Sequence, residues 1–237
     1  MSFTFLPSEM LDDIQVLARG ANDFLAHGTI RSLENLASNL RYAVENATSK
    51  GTSNFRWKTD GATPIVTSPS RNWKGTTNDF SPIYAEITID YDCTFLSDCA
   101  RVRVNEGCTV VCLKEQADPD TDKKEFHFDA GAGGWANQAG HPPLHCQFSG
   151  FVKDIPRLPS VIVHPVDVIT FVILELHQSR WREHTQKMEV KNKLRRFPER
   201  QRTRLRKVAT GWATALIDGS DHGLVILQRR APHPYQL

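Results

Sequence analysis

Apolar residues recur at helical spacing near the start of the chain. Met10, Leu11, Ile14, Leu17, Ala18, Ala21 and Leu25 share one stripe and predict a helix over residues 8–26. Ser8 is placed to cap it and Gly28 to stop it. Ile30, Leu33, Leu36, Ala37, Leu40, Ala43 and Val44 form a second stripe and predict a helix over 30–46, with Thr29 as its cap. The period then changes. Ile83, Ala85, Ile87 and Ile89 alternate with polar residues, the signature of a half-buried strand. Further strands are expected at 100–104, 108–113, 125–129 and 144–148, with Asn105-Glu-Gly107 read as a hairpin turn. Short turns between strands imply an antiparallel sheet. From Pro165 the helical period returns. Val166–Leu176 is apolar nearly all round, so this helix belongs at the centre of the core, continuing to about 195. Pro198 opens a last helix, to about 216.

The expected architecture is a single α+β domain. A helical hairpin occupies 1–47, an antiparallel sheet of about five strands 83–150, and long helices 165–217. Residues 47–82 are rich in Ser, Thr, Asn, Gly and Pro and read as a long irregular connection. It holds Phe55-Arg-Trp-Lys58 and Arg71-Asn-Trp-Lys74. Such clusters either stack on nucleic acid or pin a loop to the core, and pinning is the expectation.

Composition adds little to this picture, but charge adds something. The longest apolar stretch is interrupted by Asp167, Thr170 and Glu175, so no membrane span is expected. Met1–Pro7 has neither a basic stretch nor a long apolar run, which points to a cytoplasmic protein. The five cysteines contain no C-x-x-C pair; Cys108 and Cys112, four apart, have a spacing that could suit zinc, but they share one face of an apolar strand and are read as core thiols. Between Lys187 and Lys207 there are ten Lys/Arg and two acids, a net +8 in a chain whose total is +2. The imbalance predicts an anionic partner, either nucleic acid or an acidic protein surface. Arg195, Arg196, Arg200, Arg202, Arg204 and Arg206 are the expected contacts, arranged as a rim that touches phosphates rather than base edges.

Candidate chemistry lies between His127 and Arg157. His127 and Asp129 are two apart in a strand and point to one face. His141 and His145 flank the start of the next strand, and Arg157 follows in Ile155-Pro-Arg-Leu-Pro159. If the strands pair, His127, Asp129, His141 and His145 converge as ligands for a divalent metal, with zinc, manganese or magnesium the options. Without metal, Asp129, His141, His145 and Arg157 suit acid–base work on a phosphate ester. A third alternative is structural, since histidines in short strands often satisfy turns and edges.

Phe128-Asp129, His141-Pro142, His145, Arg157 and Pro159 together resemble a bacterial family without an assigned activity, found beside mobile and phage-defence genes. The resemblance covers about 126–180. It implies a role connected with nucleic acids. In that family the position of His127 can hold arginine, which leaves Asp129, His141, His145 and Arg157 as the better site residues. The expected function is therefore a nuclease or phosphodiesterase of a defence or toxin module. The alternative is a non-catalytic subunit of a defence complex that binds nucleic acid or protein.

Overall fold

The computed structural model describes residues 3–71, 81–97, 100–119, 124–131, 144–149 and 157–218. Short strand β1 (Thr4–Phe5) leads into helix α1 (Pro7–Gly20), a 3-10 turn (Asn22–Phe24) and helix α2 (Thr29–Lys50). Strands β2 (Asn54–Lys58), β3 (Ile65–Val66), β4 (Ile83–Phe95), β5 (Val102–Glu115), β6 (Lys124–Gly131), β7 (Leu144–Ser149) and β8 (Arg157–Pro159) follow. Helices α3 (Pro165–Gln186), α4 (Met188–Leu194) and α5 (Phe197–Asp218) close the chain. The strands form one antiparallel sheet in the order β2-β4-β5-β6-β7-β8, with β1 added on β5 and β3 on β4. The expected α+β class and antiparallel sheet are both present.

Period-2 alternation gives the sheet two unlike faces. Ala85, Ile87, Ile89 and Tyr91 of β4, Val111 of β5, Phe128 of β6 and Leu144 of β7 are buried and point to the helices. Trp57 of β2 is fully buried and donates its indole N–H to the Leu36 carbonyl of α2 at 3.1 Å. That tryptophan pins the connection to the core, as expected. Phe171 of α3 meets Phe128 edge-on at 6.3 Å. The Tyr91 hydroxyl hydrogen-bonds the Thr109 hydroxyl at 2.7 Å, so the inner face satisfies its own polar groups.

Several boundaries differ from the pattern. Pro7, not Ser8, occupies the start of α1, where its missing N–H costs nothing. Gly28 takes a left-handed φ of 88° as the N-cap of α2, which leaves Thr29 inside the helix. Asn105-Glu-Gly107 is not a hairpin. β5 runs through it, with a bulge opposite Asp92 and Cys93, and the β4–β5 hairpin turns earlier, between Phe95 and Val102. At Gly107 a Cβ would sit 2.6 Å from the Tyr91 ring, so the close approach there demands glycine. The expected long helix from Pro165 breaks at Gln178, with φ of 38°, and stops at Gln186 before α4.

Candidate functional site

The outward face of the sheet carries the candidate residues. Strand register places Cys108 of β5 opposite Asp129 of β6, and Asp129 opposite His145 of β7. His127 is two residues along β6 and stands on the same face. Ligand atoms of Cys108, His127 and Asp129 all lie within 4.8 Å of one another. His145 Nε2 is 3.1 Å from Asp129 Oδ2, and the His145 side chain is only 1% exposed. Glu125 Oε1 contacts His127 Nε2 at 3.0 Å.

Cys108, His127 and Asp129 could hold a metal ion between them. Cys108, His127 and Asp129 offer one sulfur, one nitrogen and one oxygen, a donor set that suits zinc. A zinc ion held by these three donors would keep a position for water or substrate, as catalytic zinc sites do. Glu125 hydrogen-bonds His127, a contact of the kind that orients a metal-binding histidine, and His145 lies against Asp129. A thiol donor disfavours magnesium and manganese, which prefer oxygen, so the sulfur narrows the expected range of ions. Burial, with Asp129, Asp90 and Glu125 adding negative charge, pushes the Cys108 thiol up to about 12. It is therefore protonated at neutral pH and unsuited to act as a free thiolate nucleophile. A metal would displace that proton on binding.

The sequence-predicted residues separate into three groups. Asp129, His145 and His127 come together. His141 lies outside the described residues. Arg157 opens β8 and pairs in register with Gln147 of β7, one strand beyond the His145–Asp129 contact. Two members of the cluster lie outside the site read from sequence: Glu125 is not singled out there, and Cys108, with a spacing to Cys112 that could suit zinc, is read as a core thiol. Cys108-Thr-Val-Val-Cys112 has the pattern of a buried strand and suggests a core thiol. The parity of Cys108 with Cys112 is legible there, but the β5–β6 register that sets it against Asp129 is not.

The basic segment is corrected in two of its six arginines. Arg200 and Arg204 do not decorate a rim. Arg204 Nε donates to Asp167 Oδ2 at 2.8 Å, Nη2 to Asp167 Oδ1 at 2.6 Å, and Nη1 to Asp13 Oδ2 at 2.6 Å. Arg200 Nε donates to Asp13 Oδ1 and Nη2 to Asp12 Oδ2, both at 2.6 Å. These bonds tie α5 to α1 and to the first turn of α3. The Asp13 side chain is only 1% exposed. Its burial pushes the carboxyl up, against the pull of both guanidiniums. Arg195, Arg196, Arg202 and Arg206 are exposed and remain a basic surface. That surface and the Cys108–His127–Asp129 group lie on opposite sides of the sheet. The basic helices are therefore not a track leading directly into the cluster.

Comparison with protein families, with curated proteins and with solved structures finds no match to this chain. Among the described residues, no helix is long and apolar enough to cross a membrane.

Proposed function

We propose that the chain is a zinc-dependent phosphodiesterase acting on nucleic acid, a nuclease-like component of a bacterial defence or toxin module working in the cytoplasm. One observation carries this reading: Cys108, His127 and Asp129 offer ligand atoms within 4.8 Å of one another on the open face of the sheet. A zinc ion in that position supplies Lewis acidity and brings the pKa of water down to near 7. The chain's own residues do the rest. Glu125 fixes the orientation of the His127 ring. His145 lies against Asp129, with its Nε2 3.1 Å from the carboxylate. Arg157, on the neighbouring strand, is the sequence's candidate for the scissile phosphate.

The test is metal analysis and cleavage on the same preparation. Equimolar zinc in the purified protein is expected, with hydrolysis of bis(p-nitrophenyl) phosphate and of single-stranded DNA or RNA. Both are expected to fall together in His127→Ala and Asp129→Ala. A second reading, a non-catalytic subunit that grips nucleic acid or an acidic partner, is favoured by the exposed Arg195, Arg196, Arg202 and Arg206. Nucleic-acid binding with no cleavage at any metal loading would select it over the first.

A further inference from the structure

Strand β2 ends the sheet, with β4 on one side and no strand on the other among the described residues. Its odd-numbered residues face β4: the Thr59 N–H donates to the Ile89 carbonyl at 2.9 Å, and the Phe95 N–H to the Ser53 carbonyl at 2.8 Å. The register is unbroken between those pairs, so the backbone groups of Asn54, Arg56 and Lys58 point away from the sheet. The Asn39 side-chain amide donates to the Lys58 carbonyl at 3.2 Å. The Lys58 N–H and both backbone groups of Asn54 and Arg56 are left on the open edge, a template for a further strand.

A groove of about 300 Å³ lies along this edge, between β2 and α2. Ala43, Ala47 and Phe55 are its apolar part, and Tyr42, 69% exposed, stands beside them. Of the ten lining residues two are cationic, Arg56 and Lys58, and none is acidic. Both cations are exposed and share the face opposite the buried Trp57. Arg56 donates through Nε to Asp90 Oδ1 at 2.7 Å. Lys58 makes no ion pair among the described residues.

We propose that this groove docks an extended, acidic segment of a partner protein, which adds to β2 as a further strand. The open edge presents N–H and C=O groups in alternation. A peptide backbone answers both, whereas a phosphate chain offers acceptors alone. Charge then selects among peptides. Side chains directly opposite each other on paired antiparallel strands are about 4.5–5.5 Å apart, so carboxylates on the incoming strand meet Arg56 and Lys58. Asp90 and Asp92 are in register with those two cations one strand further on, about 10 Å from the incoming strand, where salt screens them. The alternate side chains of the segment turn toward Ala43 and Phe55, where the groove admits small apolar groups. A second copy of β2, Asn54-Phe-Arg-Trp-Lys58, brings the same cations and no acid, so it lacks that complement.

Fluorescence polarisation on the full chain tests the proposal, in EDTA so that the metal cluster takes no part. The probes are fluorescein-labelled Thr-Glu-Val-Glu-Val-Glu-Thr-amide, its counterpart with lysine for glutamate, the two forms of the acidic peptide N-methylated on alternate amides, and a thymidine hexanucleotide. The acidic peptide is expected to bind at least about fivefold more tightly than the lysine peptide or the hexanucleotide. One N-methylated form is expected to lose about tenfold and the other to keep its affinity, since only one set of amides faces β2. Lys58→Glu, on the exposed face, is expected to narrow the preference for acid about fivefold with an unchanged Tm. Arg56→Pro removes an N–H that points away from β4 and is expected to weaken binding more than Arg56→Ala does. The N-methylated pair asks the same question of the unaltered protein. Failure of the acidic peptide to bind overturns the proposal. So does equal affinity for the acidic and lysine peptides, for the hexanucleotide, or for the two N-methylated forms, and so does a preference unchanged in Lys58→Glu. A wild-type dimer in sedimentation that becomes a monomer in Arg56→Pro gives the edge to a second copy and overturns it too.

Discussion

Asp13 and Asp129 are both aspartates close to nitrogen-bearing side chains, and they do opposite things. Asp13 is buried on α1 with two arginines locked around it, and every oxygen has a donor. Asp129 is 22% exposed on an open sheet face, with a histidine on one side and a thiol and a second histidine on the other. The first group is closed: cations and anions compensate each other and join three helices. The second is rich in electron-pair donors, and no arginine or lysine described here closes it. The proposed metal would answer that surplus. The contrast shows that function follows from what a cluster leaves unsatisfied more than from which residue types it contains.

The largest expected effect breaks the closed group. Asp13→Ala leaves Arg200 and Arg204 without their shared partner in a half-buried site. A loss of about 3–5 kcal/mol is expected in urea unfolding, as for other interrupted buried pairs. Asp129→Ala in metal-free protein is expected to cost about 1 kcal/mol or less, because its site is partly solvated. Equal losses at the two positions would erase the distinction.

Acid gives the next largest effect, also on the helical side. His177 of α3 is fully buried, with its ring edge-on to Phe24 at 5.0 Å. Burial, and then Arg180, lower its pKa to about 4 from the ordinary 6.5, against a smaller upward pull from the Ser68 backbone. The unfolded chain therefore takes up a proton before the folded one does. The contribution is complete above about 6.5 and declines as pH falls toward 4. On the order of 2–3 kcal/mol is involved at full protonation of the unfolded state. Urea midpoints measured across this range in wild type and in His177→Leu are expected to diverge, with the variant the flatter. Parallel profiles would show that this ring does not govern acid sensitivity.

The smallest effect on stability is expected at the basic rim. Arg202→Ala with Arg206→Ala changes two exposed side chains that take no part in the Asp13 and Asp167 network, so stability is expected to stay within about 0.5 kcal/mol. If the rim meets nucleic acid, the log–log slope of affinity against salt should flatten by roughly 0.9 for each phosphate no longer neutralised. Arg204→Ala is expected to behave differently, losing stability because it removes a tie between α5, α1 and α3. A variant set in which Arg204 and Arg206 behave alike would place Arg204 back on the surface.

Most of the fold is legible in the sequence. Stripes such as Leu33, Leu36 and Leu40 mark helices, and Ile83–Ile89 marks a half-buried strand, because burial on one face writes its period into the sequence. The errors lie where tertiary geometry overrides local preference. Asn105-Glu-Gly107 carries a turn signal, but a glycine beside Tyr91 serves a close approach within a long strand. In the candidate site, the shared face of His127 and Asp129 follows from strand parity alone. The places of Cys108 and Glu125 need the register between strands, which depends on pairings far apart in sequence. The basic segment misleads for a related reason. Charge density is a property of the segment, whereas the inward turn of Arg200 and Arg204 depends on Asp13, nearly two hundred residues away in sequence.

The central claim is that Cys108, His127 and Asp129 form one metal centre. Titration of metal-free protein with cobalt(II), followed by visible and near-ultraviolet absorption, tests it most directly, because a cobalt–thiolate bond has its own charge-transfer band. Saturation at one equivalent is expected, with tetrahedral d–d absorption and a thiolate band that disappears in Cys108→Ser. The d–d absorption is expected to weaken in His127→Ala and Asp129→Ala and to be unchanged in Arg196→Ala. Absence of the thiolate band from the wild type, or its persistence in Cys108→Ser, would contradict the account.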